Sequence, residues 1–371
     1  MDVINLYEKS DKLFFVGGKV RDELLGIESD DVDLTYVGNA VEFVKSLGIK
    51  TVLQVNEEFG AVHLKLDDTI VDITSTRKEK YDKAGHLPVV TEIGCSLQED
   101  VQRRDFTVNT LVKNCKTGEI TDYTNGIEDL KNKTLRILHD KSFIDDCTRI
   151  IRGLKFAVRF GFKLDEHSKT LQNEYLNNVN YDMCFKRLKD ELIDAFNMNK
   201  QEVLNQFIEN KMYKLLSPDE YIPYKINVEN IVNKYKQEIK NIWIIYLCGF
   251  NLSNISLTSI EQRILDDYKK ISSISLNTDY EIYTTFKSVQ NIESLIIYAL
   301  LNDITSVEKY LDDLRYVKLN ITGKDVTDLG YEPSKKLGQC LEYLTGQKIL
   351  NRNLTKEDEL LLVKRFYEQN S

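Results

Sequence analysis

The sequence contains few of the features that mark non-globular or membrane-spanning chains. Only four prolines and 17 glycines occur among 371 residues, which excludes collagen-like, proline-rich and glycine/serine-linker architectures. The longest apolar run, residues 242–250, is far shorter than the roughly 20 residues that a membrane-spanning helix needs. Residues 1–12 also lack the basic segment and apolar run of a secretory leader. We therefore expect a folded, soluble, cytoplasmic protein with no membrane partner.

Paired cysteines and excess positive charge are absent as well. The six cysteines are dispersed, with no C-x-x-C pair, so neither a disulfide framework nor a zinc site is indicated. The net charge of −9 argues against non-specific coating of nucleic acid, because such binding depends on neutralisation of phosphates by Lys and Arg. Residues 141–169 are an exception, since they carry seven Lys or Arg against four Asp or Glu.

Two hydrophobic patterns divide the chain, and its length agrees with two or three domains of about 150 residues each. Up to about residue 138, short β-branched runs alternate with turns and with segments of helical spacing, which predicts a mixed α+β domain. From residue 143 onward the apolar residues follow the helical period, and an all-helical remainder is expected. The predicted strands are 13–16, 31–36, 50–55, 61–65, 70–74, 110–114 and 119–123, and the predicted helices of this first part are 20–25 and 40–47.

Two short motifs in the first part suggest phosphate chemistry. An apolar strand runs into Gly17 and Gly18 and then into a helix start, where backbone N–H groups can approach a phosphate closely. Asp31 and Asp33 share one face of a predicted strand, and two such carboxylates can bind Mg²⁺ together with substrate phosphates. The alternatives are an ordinary turn, with Arg21 paired to a surface acid, and a solvated strand edge.

Further charged residues follow along the chain. Asp72 lies in another predicted strand and is either a third site carboxylate or a structural hydrogen-bonding group. Arg103, Arg104, Asp105 and Asn109 stand close together, and arginine can hold phosphate or ribose oxygens bidentately. A charged helix face is the alternative for that segment.

A second charged cluster begins the first long predicted helix. Asp145 and Asp146 precede Arg149 by four and three residues, so both pairs are expected to share a helix face, with Arg152 one turn further. Intrahelical ion pairs would explain this spacing. Base recognition is the other interpretation, because a carboxylate accepts from an exocyclic amine while a guanidinium donates to a ring nitrogen. Cytosine and adenine both present that pattern, so an Asp/Arg pair would select C and A without a template.

Five motifs in this order resemble those of the class II tRNA nucleotidyltransferase and poly(A) polymerase family. The resemblance covers the N-terminal half continuously, is slight over residues 200–315 and returns at 319–330. The chain departs from the commoner pattern at Asp145, where Glu is usual, and at Cys147, where Pro is frequent. The motifs are GGKVRD at 17–22, DVDLT at 31–35, RRDFTVN at 103–109, LHDKSFIDDCTRIIR at 138–152 and RLKDE at 187–191.

The resemblance implies an enzyme that uses Mg²⁺, CTP and ATP to add C, C and A to the 3′ end of tRNA. It implies a nucleotidyltransferase head at 1–138, a base-recognising neck at 139–198, and a tRNA-binding body and tail at 199–318 and 319–371. Asp31 and Asp33 match the metal ligands of the family. The implied nucleotide-binding residues are Gly17, Gly18, Arg21, Arg104, Asp105, Asn109, Asp146, Arg149 and Arg152, with Asp72, Arg77 and Arg187 as further candidates.

Residues 76–88 resemble the family's mobile loop, whose presence favours addition of A. An ordinary polar loop is the alternative. Enzymes that add only A, and poly(A) polymerases, share every motif above, so these activities remain alternatives within the family. Outside it, a small-molecule nucleotidyltransferase and a non-catalytic RNA-binding module are the other interpretations. The sequence indicates no oligomeric state.

Overall fold

The structure, a computed structural model, describes residues 3–28 and 32–369. Asp31 therefore lies outside the described residues. The chain forms two compact units, Met1–Pro218 with Ser253–Ile255 and Asp219–Leu252 with Ser256–Ser371. A mixed α+β part followed by helices confirms the predicted fold class. No helix among the described residues is both long and apolar enough to cross a membrane.

The strands all belong to the first unit. In the described residues they are β1 Leu13–Val16, β2 Val32–Tyr36, β3 Val52–Asn56, β4 Ala61–Leu66, β5 Thr69–Ser75, β6 Arg77–Lys80, β7 Val89–Ile93, β8 Val112–Asn114, β9 Ile120–Thr121, β10 Thr134–Leu135 and β11 Lys163–Leu164. Seven of them form one sheet in the order β3-β4-β5-β2-β1-β8-β9. Within that sheet β2 and β5 are parallel, while the other neighbours are antiparallel.

Helices complete both units. The helices of the first unit are α1 Val3–Tyr7, α2 Gly18–Leu24, α3 Ala40–Ser46, α4 Leu97–Val101, α5 Gly126–Lys131, α6 Ser142–Asp145, α7 Thr148–Phe160, α8 Glu166–Asn177, α9 Phe185–Phe196 and α10 Gln201–Glu209. Those of the second unit are α11 Val228–Lys234, α12 Ile242–Leu247, α13 Ser259–Ser272, α14 Asp279–Lys287, α15 Ile292–Leu301, α16 Ile304–Asp312, α17 Gly323–Asp328, α18 Lys335–Leu350 and α19 Lys356–Gln369.

The two faces of the sheet differ in character. Val32 and Leu34 of β2 are buried in a core that also contains Val41 and Val44 of α3. Asp33, between the two apolar residues, is exposed, because successive side chains of a strand point to opposite faces. The sheet therefore packs α3 on one face and presents carboxylate side chains on the other.

Four short strands, β6, β7, β10 and β11, were not predicted. Residues 77–80 were expected in a loop, but β6 pairs with β7 as an antiparallel hairpin, which leaves only 81–88 as a loop. The sequence of β6 is entirely charged, so it shows no apolar alternation; ion pairs such as Lys78 with Glu92 stabilise it instead. Lys163–Leu164, in the part expected to be all helical, forms β11 beside β10, after Gly161 ends α7 with a φ of 71°.

A buried carboxylate anchors the segment that leads to the cavity described below. Asp129 of α5 accepts a hydrogen bond from the hydroxyl of Thr107 at 2.7 Å and from Nε and one terminal nitrogen of Arg136 at 3.1 Å each. Arg136 also binds Asp165. Asp129 thereby fixes the chain just after Asp105.

We expect Asp129→Ala to lower the free energy of unfolding by about 2 kcal/mol, because it leaves a buried hydroxyl without an acceptor and Arg136 without one of its two partners. Urea denaturation measures the change. Glu128→Ala is the matched control, since Glu128 is exposed and bonds Asn132 at 2.9 Å; its effect should stay below about 0.5 kcal/mol. Equal effects of the two substitutions would contradict the anchoring role.

Candidate functional site

A cavity of about 650 Å³ opens in the first unit, lined by residues between Val16 and Glu191. Eight of the lining residues are Lys or Arg and six are Asp or Glu, a net of +2 in a chain whose total charge is −9. A concave surface with this local excess of positive charge attracts anionic ligands.

The candidate residues named from the sequence meet in this cavity, apart from Asp31, which is not among the described residues. They lie on α2, β2, β5, β6, α7 and α9 and in the segments that follow β1, α4 and α6. The residues brought together are Gly17, Gly18, Arg21, Asp33, Asp72, Arg77, Arg104, Asp105, Asn109, Asp146, Arg149, Arg152 and Arg187.

Two carboxylates lie side by side on neighbouring strands of the sheet. The parallel register of β2 and β5 places Asp33 opposite Asp72, and the antiparallel register of β4 and β5 places His63 opposite Asp72 on the other side. His63 contacts Asp72 through Nδ1. No local pattern indicates His63, because its pairing depends on strand register.

The donor set fits a hard divalent cation. Mg²⁺ is usually held by one or two carboxylates and completes its shell with water and substrate phosphates, and Asp33 and Asp72 supply two carboxylates at the cavity wall. Within residues 3–28 and 32–369, no group of three or more His, Cys, Asp or Glu is arranged to hold a metal ion by itself. A cation bound there would accordingly need further oxygen ligands from outside this set.

The glycine turn brings backbone close to an arginine. Gly17 has a φ of 61°, and a Cβ at this position would lie 3.5 Å from a terminal nitrogen of Arg104. The other terminal nitrogen of Arg104 donates to Asp100 at 3.0 Å, whereas its Nε has no partner among the described residues. Arg104 therefore retains donors for a ligand beside the turn.

Asp100 organises this side of the cavity and was missed in the sequence. It is fully buried and accepts from the backbone N–H of Arg77 at 3.0 Å, from Nε of Arg103 at 2.9 Å and from Arg104. Burial alone would raise the pKa of Asp100, but the charges of Arg104 and Arg103 lower it. Its position three and four residues before the two arginines was the available signal.

A chain of polar contacts joins the glycine turn to α7. Arg21 binds Asp22 through Nε and a terminal nitrogen at 2.8 and 2.7 Å and donates to Oδ1 of Asn109 at 2.7 Å. The side-chain NH₂ of Asn109 donates to Asp105 at 2.9 Å, and Asp105 also accepts from Arg152 at 2.8 and 2.7 Å. Asp22 is buried, so the partner of Arg21 is not the surface acid considered above.

Aromatic rings complete the setting of Arg21. The guanidinium lies 4.9 Å from the ring centre of Phe156 and 4.6 Å from that of Phe160, so α7 holds it by cation–π contacts as well. Burial lowers the pKa of Arg21, an effect that Asp22 opposes. Nothing in the motif around Arg21 indicated these two phenylalanines, which stand more than 130 residues later.

Burial alone would raise the pKa of Asp105, but the charge of Arg152 and the hydrogen bonds from Asn109, Arg152 and the backbone of Phe106 lower it to about 2. Asp105 in turn raises the pKa of Arg152. Because the pKa of Asp105 is lowered by folding, its ion pair stabilises the fold above about pH 4. That contribution is lost as the pH falls from about 4 towards 2.

We expect Asp105→Asn to lower the free energy of unfolding by about 2 kcal/mol at pH 7. The difference from the unsubstituted protein should shrink as the pH is lowered through 4 towards 2. Urea titrations at several pH values measure both quantities, and Asp11→Asn, at an exposed side chain, serves as the control with little effect. A difference that is independent of pH would refute the ionic basis.

Asp146 and Arg149 do not form the predicted helical pair. Helix α6 ends at Asp145 and α7 begins at Thr148, while Asp146 between them is extended, with φ −145° and ψ 95°. Its carboxylate accepts from the N–H and hydroxyl of Thr148 at 3.1 and 2.6 Å and from Arg187 at 2.5 Å. The prediction failed because a side-chain-to-backbone turn at Asp146 interrupts the helix.

Arg149 is held by different partners. It is buried and donates to the hydroxyl of Ser142 at 2.6 Å and to the carbonyl oxygen of Arg103 at 3.0 Å. Burial alone would lower the pKa of Arg187, but the charge of Asp146 raises it. The net effect is a pKa above the usual value for arginine. Asp146, Arg149 and Arg187 all line the cavity, and each is fixed by its own contacts.

Glu191 of α9, the last residue of the RLKDE motif, connects two helices. It binds Arg152 and Lys155, both on α7. Since Arg152 also holds Asp105, Glu191 ties α9 into the same network. Helical spacing could have indicated a shared face of α9 for Arg187 and Glu191, which are four residues apart.

The sheet carries adjacent carboxylates and a glycine turn at its edge, and a helical extension supplies further charged side chains. Together these features define the nucleotidyltransferase class of fold. Residues 13–136 match the family model of the Poly A polymerase head domain. Among solved structures, an apo form of a CCA-adding enzyme shares this fold with a TM-score of 0.79 over 98% of this chain and 95% of that one, at 22% identity. Residues 13–136 therefore belong to the poly(A) polymerase head-domain family.

Curated relatives differ in the activity for which they are named. The chain is 33% identical over 275 residues to an A-adding tRNA nucleotidyltransferase of Aquifex aeolicus, covering 73% of this chain but 32% of that protein. It is 28% identical to an A-adding tRNA nucleotidyltransferase of Halalkalibacterium halodurans, covering 96% and 88%. It is also 28% identical to a CCA-adding enzyme of Enterococcus faecalis, covering 94% and 90%. The chain therefore spans about a third of the length of the first relative and most of the other two.

Proposed function

We propose that the protein is a template-independent tRNA nucleotidyltransferase that adds C, C and A to the 3′ end of tRNA from CTP and ATP. The observation that carries the proposal is that adjacent carboxylates, a glycine turn and the Asp146 and Arg149 side chains line one cavity of net positive charge. The match to a CCA-adding enzyme over 94% of this chain supports the same activity.

The carboxylate end of the cavity suits nucleotidyl transfer. Asp33, with Asp72 beside it and with Asp31 by resemblance, would hold Mg²⁺. A bound Mg²⁺ would neutralise phosphate charge and favour the ionised 3′-hydroxyl. Arg104 and the Gly17–Gly18 turn would bind the triphosphate, which places the α-phosphorus for in-line attack. The 3′-oxygen forms the new bond as the bond to the β-phosphate oxygen breaks, and pyrophosphate leaves.

The other end of the cavity suits recognition of C and A. A carboxylate offers about four acceptor sites and a guanidinium five N–H donors. Bonds to described residues use three of the sites of Asp146 and two of the donors of Arg149. Asp146 would thus accept once more, from an exocyclic amine, while Arg149 would donate to the neighbouring ring nitrogen.

The roles of the longer segments follow from the same proposal. We assign residues 1–138 to transfer and 139–198, which contain the basic stretch 141–169, to base recognition. Residues 199–318 and 319–371 are assigned to the tRNA acceptor arm, which such proteins hold largely by shape and phosphate contacts. Addition of A alone is the second candidate, because three relatives carry that name.

Three tRNA transcripts, ending at the discriminator base, at C and at CC, test the proposal when each is incubated with Mg²⁺, CTP and ATP. We expect all three to grow to CCA and no further. Extension of the CC transcript alone would make the protein an A-adding enzyme, and long tails a poly(A) polymerase. No extension of any transcript would overturn the proposal.

Asp33→Ala should reduce turnover at least about a thousandfold with the fold intact, because it removes a carboxylate that the transfer step needs. Circular dichroism checks the fold and primer extension the rate. Asp68→Ala is the matched control, since Asp68 lies fully exposed in the turn between β4 and β5. Undiminished turnover of Asp33→Ala would refute the assignment of the carboxylate.

Asp146→Ala should relax the choice of C and A over U and G before it abolishes transfer, because it removes the acceptor for the exocyclic amine. Incorporation from each of the four nucleoside triphosphates, measured separately, gives the selectivity. Asp145→Ala is the control from the adjacent position. If both variants kept the original selectivity, Asp146 would not read the base.

A further inference from the structure

Three polar side chains form a row across β4, β5 and β2. The strand registers place His63 opposite Asp72, and Asp72 opposite Asp33. Val62 and Leu64, on either side of His63 in the chain, are buried in the core, so His63 points to the same face of the sheet as the two carboxylates. Asp72 and Asp33 are among the described residues that line the cavity, and His63 is not. His63 therefore stands behind Asp72, on the side away from Asp33.

The two carboxylate oxygens of Asp72 lie in different surroundings. Oδ1, which contacts Nδ1 of His63, is buried and has no other partner among the described residues. The Asp72 side chain as a whole is 38% exposed, so its accessible oxygen is Oδ2. Because Asp72 lines the cavity, Oδ2 is the oxygen that a ligand in the cavity can reach. The imidazole thus determines which oxygen is presented.

The position of Asp72 beside Asp33 gives this contact a purpose. Carboxylates directly opposite each other on neighbouring strands repel, so an unrestrained Asp72 side chain would turn away from Asp33. His63 holds the carboxylate from the far side and opposes that rotation. Partners that orient a metal-binding carboxylate in this way strengthen metal binding without touching the metal.

Two other roles for His63 fit the structure less well. Within residues 3–28 and 32–369, no three His, Cys, Asp or Glu side chains are grouped to hold a metal ion, so His63 does not complete a set of ligands with the two carboxylates. The side chains of His63 and Asp72 are 44% and 38% exposed, and pairs so open to solvent add little to stability. Orientation of the carboxylate is the role that remains.

We propose that His63 is a positioning residue for the cation of nucleotidyl transfer: its Nδ1 holds Oδ1 of Asp72, so that Oδ2 is presented to Mg²⁺ beside Asp33. The inference rests on the proposed function, because the cation belongs to the transfer step. His63 touches neither nucleotide nor cation in this role, and its effect passes through Asp72 alone.

Four variants separate this role from a merely structural one. His63→Ala removes the contact. In His63→Asn the side-chain NH₂ group takes about the position of Nδ1, whereas in His63→Gln it reaches the position of Nε2. Lys65→Ala is the matched control, because Lys65 lies two residues further along β4 on the same face and binds only the exposed Asp68, at 3.8 Å.

Binding of Mn²⁺ to the whole protein is the readout that needs no transfer, since Mn²⁺ takes the same oxygen ligands as Mg²⁺. The paramagnetic resonance signal of free Mn²⁺ measures it. We expect His63→Ala to weaken binding about tenfold, His63→Asn to recover most of the loss and His63→Gln to recover little. Lys65→Ala should bind like the unsubstituted protein, and the urea midpoint should stay nearly constant throughout.

Three results of the Mn²⁺ titration would overturn the inference. The first is an affinity that His63→Ala leaves unchanged, which would make the contact with Asp72 a structural pair only. The second is a loss that His63→Asn shares in full, because the position of Nδ1 would then be irrelevant. The third is an unsubstituted protein that binds no Mn²⁺.

The dependence of transfer on Mg²⁺ supplies a second readout. For His63→Ala we expect the Mg²⁺ concentration at half-maximal rate of CMP addition to rise about tenfold, while the rate at saturating Mg²⁺ and the KM for CTP change several times less. A structural defect would instead lower the rate equally at every Mg²⁺ concentration, and that result would contradict the role of His63.

Failure of the inference and failure of the proposed function are distinguishable. If the unsubstituted protein extends no transcript, the proposed function fails, and the Mn²⁺ affinities of the variants still judge His63. If the protein extends transcripts and His63→Ala responds to Mn²⁺ and Mg²⁺ as Lys65→Ala does, the function stands and the inference alone is refuted.

Discussion

The ion pair between Asp105 and Arg152 is the interaction on which the rest of the site depends. A buried carboxylate is costly unless its oxygens are satisfied, and Asp105 meets that condition with Arg152, Asn109 and the N–H of Phe106. Each partner belongs to a different part of the site, since Arg152 lies on α7 and Asn109 binds Arg21 on α2. The pair therefore sets the distance between the sheet and α7. The helix lies close to Phe106, since a Cβ at Gly153 of α7 would be only 3.2 Å from the Phe106 ring.

The same principle recurs around the cavity, where several charged side chains are held by a neighbouring side chain. Asp100 holds Arg104, Arg187 holds Asp146, and His63 contacts Asp72. Groups held in this way need little reorganisation when a charged ligand arrives, which is how preorganised sites favour a transition state. The positive charges exceed the negative ones by two among the lining residues, so the cavity still attracts a polyanion although most of its arginines are paired.

Local patterns in the sequence are sufficient to predict the helices and strands whose apolar residues follow a single period. They are also sufficient to select the candidate residues of the motifs. The alternation in β2 predicted which side Asp33 faces, and the motifs selected residues that meet in one cavity. What could not be predicted depends on contacts distant in sequence. The strand β6 consists of charges and is stabilised by β7 and by residues such as Glu99, and His63 reaches Asp72 only through the register of β4 and β5. The buried position of Asp100 depends on residues outside its own segment, such as Arg77 of β6.

The interruption between α6 and α7 explains why Asp146 and Arg149 do not bind each other. In a continuous helix the two residues, three positions apart, would face each other and neutralise one another. Because the chain is extended at Asp146, the carboxylate binds Arg187 on α9 and the guanidinium binds Ser142 and the backbone of Arg103. Each group is then fixed by its own partners, and bonds to the described residues use three acceptor sites of the carboxylate and two donors of the guanidinium. A break of two residues in a helix thus turns what would be an internal ion pair into two separately oriented groups at the wall of one cavity.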